Sequence, residues 1–347
     1  MTRASWMSIL DWVLMPFNNI MVAGAGAIGS VIAARLALAD LQPTVLARGP
    51  TLEALQRDGL RLDDLSGAHH VRVTATDDAS TSGIQDLIFL CAKAAALPAL
   101  MAQLRPAIGP NTTLVPGVNG IPWWYFQREG GRFDNAGVAS VDPDAVLLSM
   151  VPPQQIVGAV LYMTAEITAP GCVRSDNPYL MVLGETDHTL TPRVQEISEL
   201  LAAAGIGARA SARIRDDVWS KVIGNLTSNP LSVVTGATLD AIYGAPELRD
   251  IVTGVLREAT LVAASYGARI NADPDAIFAR GASLGAFRTS MLQDHLQGRP
   301  LELAAIGDAV VELAGRYDIP MPTTQILLGL TRYCAAHALL QRTDLQV

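Results

Sequence analysis

Apolar residues cluster in short runs through the first 210 positions and recur at helical spacing after them. Asn18–Ala23 (NNIMVA) is a short β-like run, Pro43–Ala47 (PTVLA) a second, Asp86–Ala92 (DLIFLCA) a later one and Thr112–Pro116 (TTLVP) a further one. Between the first two, Ser30–Ala39 is rich in Ala, Leu and Ile and predicts a helix; the rest reads as helix or loop. Strand and helix alternating at this pitch imply a parallel sheet covered on both faces. Ile121–Phe126 (IPWWYF) and the Gly-, Asp- and Pro-rich text to 155 read as an insertion. Val157–Thr168, Gly171–Ser175 and Tyr179–Gly184 then predict antiparallel strands, with turns at Pro170-Gly171 and Asn177-Pro178. From about Ile214 helical periodicity takes over, in Asp216–Leu231, Pro246–Tyr266, Pro274–Arg280, Pro300–Tyr317 and from Thr323 to the end. The expectation is an extension (1–17), an α/β domain (18–212) and an all-helical domain (213–347).

Composition narrows the classes. The chain has 347 residues, 50% of them hydrophobic and 17% charged, with a mean hydropathy of +0.29. That is ample material for a core and argues against disorder; the length favours two domains. The N-terminal stretch Trp6–Phe17 is broken by Asp11 and Pro16 and carries one basic residue, Arg3. Neither a membrane span, which needs roughly 20 apolar residues, nor a secretory leader is expected. A net charge of −8 argues against general nucleic-acid affinity, which needs a basic face. Cys91, Cys172 and Cys334 are odd in number and scattered, and neither they nor the five histidines show metal-ligand spacing. The picture is a reduced, cytoplasmic protein acting on a small molecule, without metal or membrane partner.

Gly24-Ala25-Gly26-Ala27-Ile28-Gly29 falls between a strand and a helix. In that setting GxGxxG predicts a dinucleotide site: the glycines permit the turn, the approach of a pyrophosphate and close helix–sheet packing. The first domain is therefore expected to be Rossmann-like. About 20 residues later an NAD-binding protein usually places an acid for the ribose hydroxyls. Here the text is Val45-Leu46-Ala47-Arg48-Gly49. A cation there suits a 2′-phosphate, so NADP(H) is favoured over NAD(H), unless Arg48 is only a solvated loop residue. Lys93 and Asn119 each follow a strand end, where open α/β sheets bind ligands; by position alone either is equally well a turn residue.

On a helix at ~100° per residue, Val218, Trp219, Val222, Ile223 and Leu226 form an apolar arc. Asn225 and Asn229 project beside it, and Lys221 flanks it four residues before Asn225. Buried amides need partners, so either an interdomain polar network with a snorkelling lysine or a ligand site fits. Pro300 suits a first helical turn, where Glu302 favours the dipole, and Ser290 suits a cap.

GAGAIG at 24–29, the lysine at 93, VNG at 118–120, WSKVIGNLTSNPL at 219–231, and SMLQD with LEL at 290–303 occur in the order of the ketopantoate reductase (2-dehydropantoate 2-reductase) family, which the chain resembles from about Asn18 to Tyr333. The resemblance implies a cleft between the two domains holding NADPH and a 2-oxo acid. Gly24, Ala25, Gly26, Ala27, Ile28 and Gly29 would cradle the pyrophosphate and Arg48 the 2′-phosphate. Lys93 and Asn119 would border the nicotinamide ribose and substrate. Lys221 would be the general acid, Asn225, Asn229 and Ser290 would bind the 2-oxo acid, and Glu302 would hold the lysine and the substrate hydroxyl. The chain would act as a monomer or homodimer. Where the family often continues with polar residues after its glutamate, Leu303-Ala304-Ala305-Ile306 is apolar. That leaves room for a paralogue reducing another 2-oxo acid, or for a non-catalytic NADPH sensor.

Overall fold

The computed structural model describes residues 17–270 and 273–343. Of the N-terminal extension, residues 1–16 lie outside the described residues, as do the last four of the C-terminal helical segment. The chain begins β1 (Ile20–Ala23), α1 (Ala27–Leu38), β2 (Thr44–Leu46), α2 (Gly49–Asp58), β3 (Leu60–Asp64), β4 (Gly67–Val71), β5 (Thr74–Thr76), β6 (Gln85–Leu90), α3 (Leu97–Leu104) and β7 (Ile108–Pro116). After α4 (Val146–Met150) come β8 (Val157–Tyr162), β9 (Glu166–Ala169), β10 (Cys172–Arg174), β11 (Leu180–Glu185), α5 (Pro192–Ala203) and β12 (Gly207–Ala210). Helices α6 (Ile214–Thr235), α7 (Leu239–Gly244), α8 (Pro246–Ser265), α9 (Pro274–Ser283), α10 (Ser290–Leu296), α11 (Ala309–Gly315) and α12 (Pro322–Thr343) follow.

The central sheet has the order β5-β2-β1-β6-β7, and all its pairings are parallel. Its strands alternate in the expected period of two. Met21, Ala23, Ile88, Leu90 and Leu114 feed one core, and Ile20, Val22, Leu87, Phe89 and Val115 feed the other. Both faces are buried, as an all-parallel sheet requires.

The region from 60 to 76 holds strands where helix or loop was expected. β3 and β4 form a hairpin, and β5 is an edge strand beside β2. β3 does alternate buried leucine with charged residues (LRLDD), but only over Leu60 and Leu62, and β4 and β5 (GAHHV, TAT) carry almost no large apolar side chain, so the apolar signal is too short to mark a strand. The expected antiparallel strands also divide differently. Val157–Thr168 splits into β8 and β9; β8 pairs antiparallel with β11 and β9 with β10, in two separate sheets. Each of those sheets is completed by a parallel partner, β12 and β3 respectively.

Ile121–Phe126, which reads as the start of an insertion, is buried. All six residues but Pro122 are at most 2% exposed, and they join the core that also takes Trp219 and Leu226 of α6, Val255 of α8 and Leu313 of α11. Trp219 donates its indole N–H to the Tyr125 hydroxyl at 2.7 Å. Arg215, buried in the first turn of α6, donates to the carbonyls of Tyr125, Gln127 and Thr186 at 2.6–2.9 Å. The two halves of the chain thus share one hydrophobic core.

Two helical expectations shift. α6 is longer than the expected Asp216–Leu231, beginning at Ile214 and continuing past Pro230 to Thr235. The segment expected from Pro300 becomes helical only at Leu303 and opens with a π-helical turn over Ala304–Asp308. Glu302 therefore precedes the helix instead of lying in its first turn. Thr289, not Ser290, caps α10, its hydroxyl accepting the Leu292 N–H at 3.1 Å.

Candidate active site

The glycine run follows β1, which lies between β2 and β6 where the strand order reverses, the usual ligand crevice of open α/β sheets. Gly24 has φ +110°, and a Cβ there would stand 2.5 Å from the Cys91 carbonyl oxygen. A Cβ on Gly29 would stand 1.9 Å from the Gly24 oxygen, so the helix can meet the strand only without a side chain. At Gly26 a Cβ would meet nothing within 4 Å. Two glycines are thus needed by the protein's own backbone, and the middle one faces open space. No side chain caps α1 and its first turn carries no acid, so its backbone donors suit an anionic group. Ala25, Ala27 and Ile28 flank these glycines, partly buried.

Arg48 is exposed at the start of α2, directly beyond β2. Its guanidinium makes no ion pair among the described residues. That arrangement fits a phosphate ligand as well as solvent.

A second cluster joins the two halves. Lys221, half-buried on α6, donates to Asn119 Oδ1 at 2.7 Å and to the Leu161 carbonyl at the end of β8. The Asn119 amide donates in turn to Glu302 Oε2 at 3.1 Å. The loop holding Asn119 is pinned next to Glu302's helix. Gly120 has φ +83° and a Cβ there would meet the Ala305 oxygen at 2.3 Å, while Ile121 N–H donates to that oxygen at 2.8 Å. Burial pulls the Lys221 ammonium down to about 8, with Glu302 opposing the shift. Burial pushes the Glu302 carboxyl up, against the pull of the Asn119 amide and Lys93. A lysine and a carboxyl moved toward each other's range, bridged by an amide, can hold and deliver a proton.

The other expected residues are placed variously. Asn225 is half-buried one turn after Lys221 and makes no side-chain hydrogen bond among the described residues. Asn229 is buried and accepts from Ser228 at 3.3 Å. Ser290 is exposed at the start of α10 and, among the described residues, makes no hydrogen bond to Lys221. Lys93 donates to Asp294 Oδ2 at 2.6 Å and to the Pro300 carbonyl at 3.0 Å. Asp294 was missed, although it ends the SMLQD text. The Leu161 carbonyl could not have been found, because a backbone acceptor leaves no mark in the sequence.

Residues 20–188 match the family model "Ketopantoate reductase PanE/ApbA" and residues 213–334 its C-terminal counterpart. The chain belongs to the ketopantoate reductase family. It is 37% identical over 320 residues to a 2-dehydropantoate 2-reductase of Mesorhizobium japonicum, covering 91% of this chain and 98% of that one. A candidate ketopantoate reductase of Ralstonia solanacearum superposes with a TM-score of 0.88 at 39% identity, covering 92% and 98% of the two chains. D-mandelate dehydrogenase in complex with NADH and anilino(oxo)acetate shares the fold, with a TM-score of 0.79 at 19% identity over 92% and 99%. Ketopantoate reductases are dinucleotide-dependent oxidoreductases acting on a small keto acid, and this chain is an enzyme of that kind. Among the described residues no helix is long and apolar enough to cross a membrane. The apolar run that departs from the family's text has a packing role: Leu303, Ala305 and Ile306 are at most 9% exposed, and Ala305 carries the carbonyl that seats the Asn119 loop.

Proposed function

We propose that this ketopantoate reductase uses NADPH to reduce 2-dehydropantoate to pantoate, with Lys221 as the proton donor. The observation that carries the reading is the bridge Lys221–Asn119–Glu302 between the two halves, with burial drawing the lysine down to about 8. Gly24, Gly26, Gly29 and the start of α1 fit the cofactor pyrophosphate, and Arg48 fits the 2′-phosphate that only NADPH carries. When bound, the cofactor supplies a hydride to the ketone carbon. Negative charge then grows on the ketone oxygen, where the Lys221 ammonium stabilises it and gives up a proton. Asn119 fixes the lysine's direction, and Glu302 holds the Asn119 amide. Asn225, without a side-chain hydrogen bond among the described residues and one turn from Lys221, suits the 2-oxo acid, and Asn229 and Ser290 complete that reading. Such an enzyme would work in the cytoplasm, where NADPH is supplied.

The test is NADPH oxidation with 2-dehydropantoate beside a panel of other 2-oxo acids. The highest kcat/KM is expected for 2-dehydropantoate. A different acid preferred by two orders of magnitude would move the assignment to a paralogous reductase. No turnover with any of them would make the chain an NADPH-binding protein without catalysis.

A further inference from the structure

Glu302 sits at the end of a hook that leaves α10 and returns to the helix beginning at Leu303. The hook has no regular structure over Arg299–Glu302, so something other than backbone ladders must fix it. Asp294, 8% exposed on α10, supplies that fixing. Its Oδ1 accepts from Arg299 Nε at 2.7 Å and its carbonyl from the Arg299 N–H at 2.8 Å. Its Oδ2 accepts from Lys93 Nζ at 2.6 Å, and the same ammonium donates to the Pro300 carbonyl at 3.0 Å. Lys93 reaches across from the end of β6, 201 positions earlier in the chain. One cation of the α/β half thus grips the hook at two points six residues apart, and two residues later Glu302 meets Asn119 of the same half.

We propose that Asp294 is a positioning residue: by holding Lys93 onto the Pro300 carbonyl, it sets the Glu302 carboxylate against Asn119 and so aims Lys221. The inference rests on the reading of Lys221, Asn119 and Glu302 as the reactive cluster. It also gives Lys93 a second task beside the ribose. A buried carboxylate that already has Arg299 does not need Lys93 for its own neutralisation. The lysine's contribution is the span across the cleft, because its ammonium alone contacts both the carboxylate and the Pro300 carbonyl. Displacing a catalytic group by about 1 Å can cost two orders of magnitude in rate.

Asp294→Asn keeps the shape and removes the charge. The expected result is a kcat lower by roughly 10- to 100-fold with little change in the KM for NADPH, partly rescued in Asp294→Glu. Hydrogen exchange of the 297–303 segment should quicken in the Asn variant. Unchanged kcat with a lowered NADPH KM would overturn the proposal, since it would mean that Asp294 only competes with the cofactor for Lys93. A double-mutant cycle with Lys93→Met separates positioning from general weakening. If the two act through each other, the double variant is no slower than the slower single variant; if the losses multiply, the proposal fails. Should Asp294→Asn not fold, Lys93→Met with the exchange measurement gives the same decision: protection of 297–303 as in the parent chain sinks it. Lys221→Ala and Glu302→Gln, run alongside, keep the two readings apart. Full activity in those variants refutes the reactive cluster itself, whereas their loss beside a normal Asp294→Asn refutes only the positioning role.

Discussion

Lys221 Nζ lies 2.7 Å from Asn119 Oδ1, although 102 positions separate the two residues and they sit in different halves of the chain. The contact takes a lysine from a helix edge and points it at the loop beyond the central sheet. Burial favours its neutral form, and the amide oxygen and the Leu161 carbonyl retain its proton in place. Lys221→Ala should therefore lower kcat by about 100-fold or more while leaving the NADPH KM nearly unchanged. In the parent enzyme kcat/KM should fall as pH rises through about 8, because only the ammonium can donate. A basic limb at the ordinary lysine value near 10.4 would mean that burial does not shift Lys221 in the working enzyme, and full turnover in the folded alanine variant would remove Lys221 from the mechanism.

Glu302 distinguishes a catalytic carboxyl from a helix-start acid. As a mere partner of the helix dipole it would cost at most about 1 kcal/mol when replaced by Gln. Because it accepts the Asn119 amide and faces Lys221 electrostatically, Glu302→Gln is expected to abolish most turnover with Tm almost unchanged. Steady-state rates and a melting curve on the same preparation decide it; normal rates refute the role.

The proposed preference for NADPH rests on Arg48. A charge-assisted contact to phosphate is worth about 1.5–3 kcal/mol, so Arg48→Ala should raise the NADPH KM by roughly 10- to 100-fold. The weaker NADH KM should hardly move, and kcat at saturating NADPH should survive. Equal weakening of both cofactors, or of neither, means that Arg48 does not discriminate.

Tyr125 tests the shared core independently of chemistry. Its hydroxyl is the acceptor for the buried Trp219 indole N–H. Tyr125→Phe leaves that donor unpaired and is expected to cost about 1–3 kcal/mol of stability with kcat close to that of the parent. Denaturant titration reads the difference, and an unchanged unfolding midpoint would mean that the bond contributes nothing.

Much of this was legible because it is written locally. The unbroken apolar runs IMVA and LIFL, the glycines at 24–29 and the spacing of Lys221 and Asn225 each depend on a few adjacent residues. What escaped notice depends on the far side of a contact. The β3–β4 hairpin has little apolar signal, since Leu60 and Leu62 are the only large apolar residues in its strands before Val71. Ile121–Phe126 shows apolar character but not direction, so its text reads as an insertion and does not show that it fills the core beside α6. Asp294 and the Leu161 carbonyl matter only through Lys93 and Lys221, which reach them from 201 and 60 positions away.

The buried aromatic segment 121–126 also sets the rules for recombining this enzyme with its relatives. A crossover at the strand-to-helix junction near residue 212 would separate Trp124 and Tyr125 from the Ile214 and Trp219 that share their core, and would leave the placing of the three carbonyls that hold the buried Arg215 guanidinium to another parent's backbone. A chimera that exchanges the helical half must carry the 121–128 stretch of the same parent with it. Arg48 itself, exposed just beyond the last β2 residue in that core, can be exchanged alone. If it grips the 2′-phosphate as proposed, cofactor preference is a portable trait in this scaffold.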